Sequence, residues 1–124
     1  MGDRTNFHFK VNEDMLTLYS HWGGYSRKQD LARALNAAMP RIQMGDMDYA
    51  LRICVSQLVA SDWTSETGFG LMINNPQGAE EEYGYLEVDF NNGTVQEDDI
   101  VKPIQEFISY YLTPVAATAT IEVQ

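Results

Sequence analysis

A chain of 124 residues with 44% apolar side chains, two Trp, seven Tyr and five Phe suffices for one domain, residues 1–124, and carries too much bulky apolar material for global disorder. Eighteen acidic residues against eight basic ones give a formal net charge of -10, which repels a phosphate backbone and argues against direct DNA or RNA binding while leaving basic proteins as partners. No run approaches the roughly 18 apolar residues of a spanning helix, the first residues lack the regions of a secretory leader, and the lone Cys54 cannot form an internal disulfide, so a cytoplasmic protein without membrane association is expected.

From Asn6 to Val11 the chain alternates, with Phe7, Phe9 and Val11 on one side and His8 and Lys10 on the other. That spacing predicts a strand, and Met15–Tyr19 beyond the polar Asn12-Glu13-Asp14 predicts its hairpin partner. The glycine pair in Ser20-His21-Trp22-Gly23-Gly24 ends the pairing in a loop. Ser26 with Gln29 forms a capping-box pattern, and Leu31, Ala34, Leu35 and Ala38 follow on one helical face until Pro40, which is expected to stop the helix. A second helix starts at Asp46 or Asp48 and runs through Val59 with a wide apolar arc, predicting central burial.

From Gly68 the period changes to two, so Phe69–Ile73 is a third strand, broken by Asn74-Asn75-Pro76-Gln77-Gly78. Tyr83–Phe90 is the fourth, and the tight-turn signal Asn91-Asn92-Gly93 returns it as Thr94-Val95-Gln96. Asp98, Asp99 or Lys102 starts a last helix, whose apolar face is Ile104, Phe107, Ile108, Tyr111 and Leu112 and which Pro114 ends. The alternation of Ala119, Ile121 and Val123 makes residues 115–124 either an edge strand or a tail that orders only on association. The expected class is α+β: an antiparallel sheet of about four to six strands with about three helices mainly on one face.

Two loops concentrate chemistry. The first hairpin brings Asp3-Arg4-Thr5-Asn6 towards Ser20–Gly24, where Arg4 and Asn6 suit an anion, His21 a proton and Trp22 a planar ligand. The plainer alternative is structural: an Asp3–Arg4 pair, an anchored Trp22 and a His21 bonded to backbone. The second loop, Asp62–Gly70, offers Asp62, Glu66 and three hydroxyls, but neither calcium-loop spacing nor a dinucleotide fingerprint, and a plain turn explains it as well. His8 and His21 lack ligand spacing, so no metal and no cofactor is expected, and Cys54 sits in an apolar helical stretch that suits packing better than nucleophilic chemistry. Glu80, Glu81 and Glu82, with Glu97, Asp98 and Asp99, form two acidic clusters that serve either solubility or recognition of a basic protein.

Gly2-Asp3-Arg4 with Asn6, Leu18-Tyr19-Ser20-His21-Trp22-Gly23-Gly24, Asp48–Ile53 and Glu66-Thr67-Gly68-Phe69-Gly70 together resemble a family of small uncharacterised bacteriophage and actinobacterial proteins. The likeness runs from Gly2 to roughly Val95 and implies a phage setting without an activity to carry over. The leading expectation is therefore a non-enzymatic acidic binding protein acting on a host or defence protein, with its partner surface at Glu80–Glu82 and Glu97–Asp99. A second is a binding protein for a nucleotide or other anionic ligand through Arg4, Asn6, His21, Trp22 and Glu66. A third is a hydrolase pairing His21 with Asp62 or Glu66. Homo-oligomerisation is compatible with all three.

Overall fold

The computed structural model describes residues 2–112. Strands β1 (Thr5–Val11) and β2 (Asp14–Ser20) form the opening hairpin, followed by helices α1 (Arg27–Gln43) and α2 (Met47–Val59), a 3-10 turn at Ala60–Asp62, and strands β3 (Phe69–Ile73), β4 (Leu86–Asp89), β5 (Thr94–Glu97) and β6 (Ile100–Pro103). A third helix, α3, covers residues 104–112. The six strands make one sheet in the order β3-β2-β1-β4-β5-β6, antiparallel throughout except for the parallel β1–β4 pair. The class is α+β, as the alternating patterns predict.

One sheet face carries the core. The register sets Phe7 opposite Leu18 and Phe9 opposite Leu16, and Val88 opposite Val95, so that β1, β2, β4 and β5 present one apolar surface. Leu31, Ala34, Leu35 and Ala38 of α1 and Ile104, Phe107 and Ile108 of α3 close on it. Small alanines on α1 let its backbone approach the sheet, and each buried Leu or Phe contributes about 1.5–3 kcal/mol relative to exposure. The opposite face buries Asn6, His8 and Thr17 instead. Their roof is the chain between β3 and β4: Asn6 exchanges hydrogen bonds with Ala79 (Nδ2 to O, 2.8 Å; Ala79 N to Oδ1, 3.1 Å), and Tyr85 stacks on His8 with centroids 4.8 Å apart.

Five sequence expectations give way. Pro40 does not stop α1, which continues to Gln43. A proline this close to the end removes one hydrogen bond, from the exposed Asn36 carbonyl that water can satisfy, while Ile42 beyond it still packs on the core. Ser26 is the N-cap but its hydroxyl caps nothing; it donates to Asp30 Oδ2 at 2.7 Å. Helix α2 does start at Asp46, whose Oδ1 accepts from Tyr49 N at 3.2 Å, yet it is not central. Only Ala50 and Cys54 are buried, because α2 packs on α1 along a narrow seam and leaves part of its wide apolar arc near the surface.

The fourth concerns Asp98-Asp99 and Pro103, which carry every signal of a helix start. The chain instead turns at Asp98 (φ +54°), and Ile100–Pro103 pairs with β5 before α3 begins. Proline is tolerated there because it ends an outermost strand. Strand β4 is also shorter than its alternation, since Tyr83–Tyr85 belong to the connecting loop. The tail or edge strand expected at residues 115–124 lies outside the described residues. Among the described residues no helix is long and apolar enough to cross a membrane.

Candidate functional site

The two loops that stand out in the sequence meet. Antiparallel pairing of β2 with β3 sets Ser20 against Phe69, and His21 N donates to Gly68 O at 2.9 Å. The N-terminal segment is stitched to the same place: Asp3 N donates to His21 O and Gly24 N to Asp3 O, both at 2.8 Å. The Asp3 carboxylate accepts from Tyr25 N (2.8 Å) and Tyr83 Oη (2.5 Å), and that bond raises the Tyr83 phenol above its ordinary value. The Gly2-Asp3 and Ser20–Gly24 motifs therefore act as a staple between the chain start and the first hairpin.

Above this junction, on the helical side of the sheet, lies a cleft of about 440 Å³. Its walls are the end of β2 and its loop (Ser20, Trp22, Gly23), the first turn of α1 (Ser26, Asp30), Leu58 near the end of α2, and Asp62, Ser65, Thr67 and Gly68, with Phe7 and Phe69 beneath. Two carboxylates and no Lys or Arg line it. Asp30 is partly neutralised by Arg33, whereas the Asp62 carboxylate has no ion-pair partner among the described residues. Ser20 is only 3% exposed, and its hydroxyl, which lines the cleft, enters no hydrogen bond among the described residues. A Cβ on Gly23 would lie 2.6 Å from that Oγ, so the glycine keeps the space around it open.

A second, more apolar groove of about 510 Å³ adjoins it and shares Asp62, Ser65 and Phe69. Val55 and Val59 of α2 face Leu18 and Leu71 across it, and Trp63, 77% exposed, stands on the rim. The wall exists because the chain reverses at Ala60 (φ +54°), which carries the 3-10 turn and Trp63 back over the sheet edge. Strand β3 forms the outer border. Leu71 and Ile73 point to the helical side, opposite Leu18 and Leu16, but no helix among the described residues reaches far enough to cover them, and they are 59% and 65% exposed.

The other predicted residues lie elsewhere. Arg4 pairs with Glu82 at 3.2 Å, away from the cleft, and is not placed to hold an anion in it. Asn6 is fully buried under the roof loop, its N–H donating to Glu81 Oε1 at 3.0 Å. His21 Nδ1 shares a 2.6 Å hydrogen bond with Tyr19 Oη and its ring meets Trp22 edge to face at 4.5 Å; neither Asp62 nor Glu66 bonds to it. Glu66 is exposed, and of the proposed ligand set only Trp22 lines the cleft. His8, disregarded for metal chemistry, is buried with Nδ1 bonded to Thr17 Oγ1 at 2.7 Å and Nε2 unpaired. Burial lowers its pKa to about 4, and the same cause pushes the Cys54 thiol up to about 12.

The acidic clusters are largely occupied. Burial raises the Glu81 carboxyl despite the Asn6 N–H it accepts. Glu97, facing the core beside Val95, is buried between Lys28 (3.2 Å) and Lys102 (3.5 Å) and accepts from Tyr111 Oη at 2.5 Å. Burial opposes its ionisation, but Tyr111 and the two lysines outweigh that and hold it below the ordinary carboxylate value. Asp98 accepts from Tyr85 N at 3.0 Å, which brings the second cluster beside the loop of the first. Glu80, Asp99 and Glu82, the last beside Arg4, are exposed.

Among the described residues no three His, Cys, Asp or Glu side chains converge to hold a metal ion. Sequence reasoning missed Asp30, Val55, Val59, Leu71 and the hydroxyl of Ser20 as parts of the site. Their one common signal is proximity to the two polar loops. No family model matches the chain, and no curated protein or solved structure matches it.

Proposed function

We propose that the protein is a non-enzymatic acidic binding protein that adds an extended segment of a basic partner protein to the outer edge of β3, which pairs with no other strand among the described residues. The observation that carries this reading is the contrast between the two sheet edges. Outer strand β6 has Lys102 and Pro103, residue types that discourage edge pairing, whereas β3, Phe69-Gly70-Leu71-Met72-Ile73, has none. Instead it sets exposed Leu71 and Ile73 beside an apolar groove, the arrangement in which an added strand gains backbone hydrogen bonds and side-chain pockets together. Covering each of these residues contributes up to about 1.5–3 kcal/mol before the segment is ordered. The net charge of -10 favours a basic segment and its electrostatic steering. In the phage setting that the sequence resemblance implies, the partner would be a host or defence protein.

Selection from a random peptide display library tests this. Enriched peptides should share alternating apolar positions and carry net positive charge, and binding should fail with Leu71→Glu or Ile73→Glu, which replace exposed side chains. Peptides that bind these variants as well as wild type would refute docking on β3. Sedimentation showing a dimer that Leu71→Glu dissociates would assign the edge to a second copy instead.

A further inference from the structure

We infer that the 440 Å³ cleft behind Phe69 is a subsite for one basic side chain, a lysine ammonium or an arginine guanidinium, of the segment added to β3; this rests on the edge-strand reading above. The lining is suited to a single long cation. Phe7, Leu58 and Phe69 provide an apolar floor for a methylene stem, and Trp22 offers an aromatic surface at the mouth. At the polar end Asp62 lacks an ionic partner among the described residues, while Asp30 already has Arg33. The cleft thus has one uncompensated carboxylate and no cation in its lining.

The Ser20 hydroxyl is the independent indicator. Ser20 is 3% exposed and lines the open space, and its oxygen, beside Gly23, is in no hydrogen bond with the described residues, so it is open to a donor in the cleft. An ammonium or guanidinium N–H donating to Ser20 Oγ and to Asp62 would satisfy both. An anion would meet two carboxylates instead.

Strand geometry converts this into a sequence rule. Side chains of an added strand alternate between faces, so those beside Phe69, Leu71 and Ile73 all point to the helical side. The residue beside Phe69 has to be long, because the cleft is set back from the edge. The partner segment therefore carries its Lys or Arg two residues from one apolar residue and four from another, with the order set by whether the strand runs parallel or antiparallel to β3.

Three synthetic peptides of one alternating sequence, with lysine, norleucine or glutamate at the cleft position, are titrated by fluorescence anisotropy against full-length protein. Wild type should bind the lysine peptide at least about tenfold more tightly than the norleucine peptide, and the glutamate peptide least. Asp62→Asn should erase the lysine preference, so that the lysine and norleucine peptides bind it alike, and Ser20→Ala should reduce that preference a few-fold. Equal binding of the lysine and norleucine peptides to wild type, with both lost in Leu71→Glu, would overturn the cation subsite and keep the edge reading. Binding of no peptide, or binding indifferent to Leu71→Glu, would overturn both.

Discussion

Mild acid should destabilise this protein through His8. The ring is 1% exposed, stacked under Tyr85 and bonded to Thr17, and the carboxylate of Glu87, opposite it on β4, accepts from the Tyr85 hydroxyl instead of from the ring. Its pKa falls from 6.5 to about 4 on burial, so between these values the unfolded chain binds a proton that the native state refuses. Stability is therefore highest above pH 6.5 and declines as the pH drops towards 4. At 1.36 kcal/mol for each pH unit the full loss is about 3 kcal/mol, and from about pH 7.5 to about pH 5.5 it is about 1.3 kcal/mol. Glu81, raised by burial, acts in the opposite sense, but only close to the carboxylate range. Urea unfolding at both pH values measures the loss in wild type. The double variant His8→Phe/Thr17→Val keeps an aromatic ring against Tyr85 and removes both hydrogen-bonding partners, so it should lack that pH-dependent component. An equal pH dependence in both proteins would show that His8 titrates normally and that the roof loop does not exclude water from it.

Glu97→Gln removes the charge that Lys28 and Lys102 share and should cost about 3 kcal/mol, read as a lower urea midpoint with an unchanged slope. Because the folded-state pKa of Glu97 is depressed, its stabilising contribution is present above the ordinary carboxylate value and is lost as pH falls through the folded value, so wild type and variant should converge in strong acid. Pro40→Ala restores a helical N–H at an exposed position and should stabilise by about 1 kcal/mol; a lower thermal midpoint would show that the proline ring is needed where it stands. Cys54, buried and with its thiol pushed up to about 12, should resist an aromatic disulfide reagent at neutral pH until urea unfolds the chain, and immediate labelling would contradict its place in the core.

Much of the fold was legible because its signals are local. The Phe7-Phe9-Val11 alternation, the Asp46 cap and the Asn91–Gly93 turn each need only a few neighbouring residues, and each element formed where they stand. Strand β6 was hidden because Asp98, Asp99 and Pro103 satisfy the rules of a helix start equally well, and only pairing with β5 decides between the two. Glu97 looked like part of a solvated run, although its period-two relation to Val95 already placed it on the core side; the lysines that make burial tolerable come from α1 and β6. At the site, turn chemistry picked out the Ser20–Gly24 and Asp62–Gly70 loops. Their meeting depends on β2–β3 pairing across 49 positions (Ser20 to Phe69). Leu71 and Ile73 have the alternation of core residues, and nothing local reveals that the helices among the described residues leave them uncovered.

The parallel β1–β4 pair sets the order in which this chain can complete itself. His8 aligns with Glu87, 79 positions later (87 − 8), so one side of the first strand waits for the fourth. Until then β1 has only its hairpin partner, and the polar row of Asn6, His8 and Thr17 stays wet. A ribosome-bound chain ending near Ile73 would have its first three strands and two helices but no lid over that row. Closing a loop of this span is entropically slow compared with the hairpins on either side of it. Docking of residues 74–89 is therefore the step expected to limit folding, and mutations that loosen the roof loop should slow it.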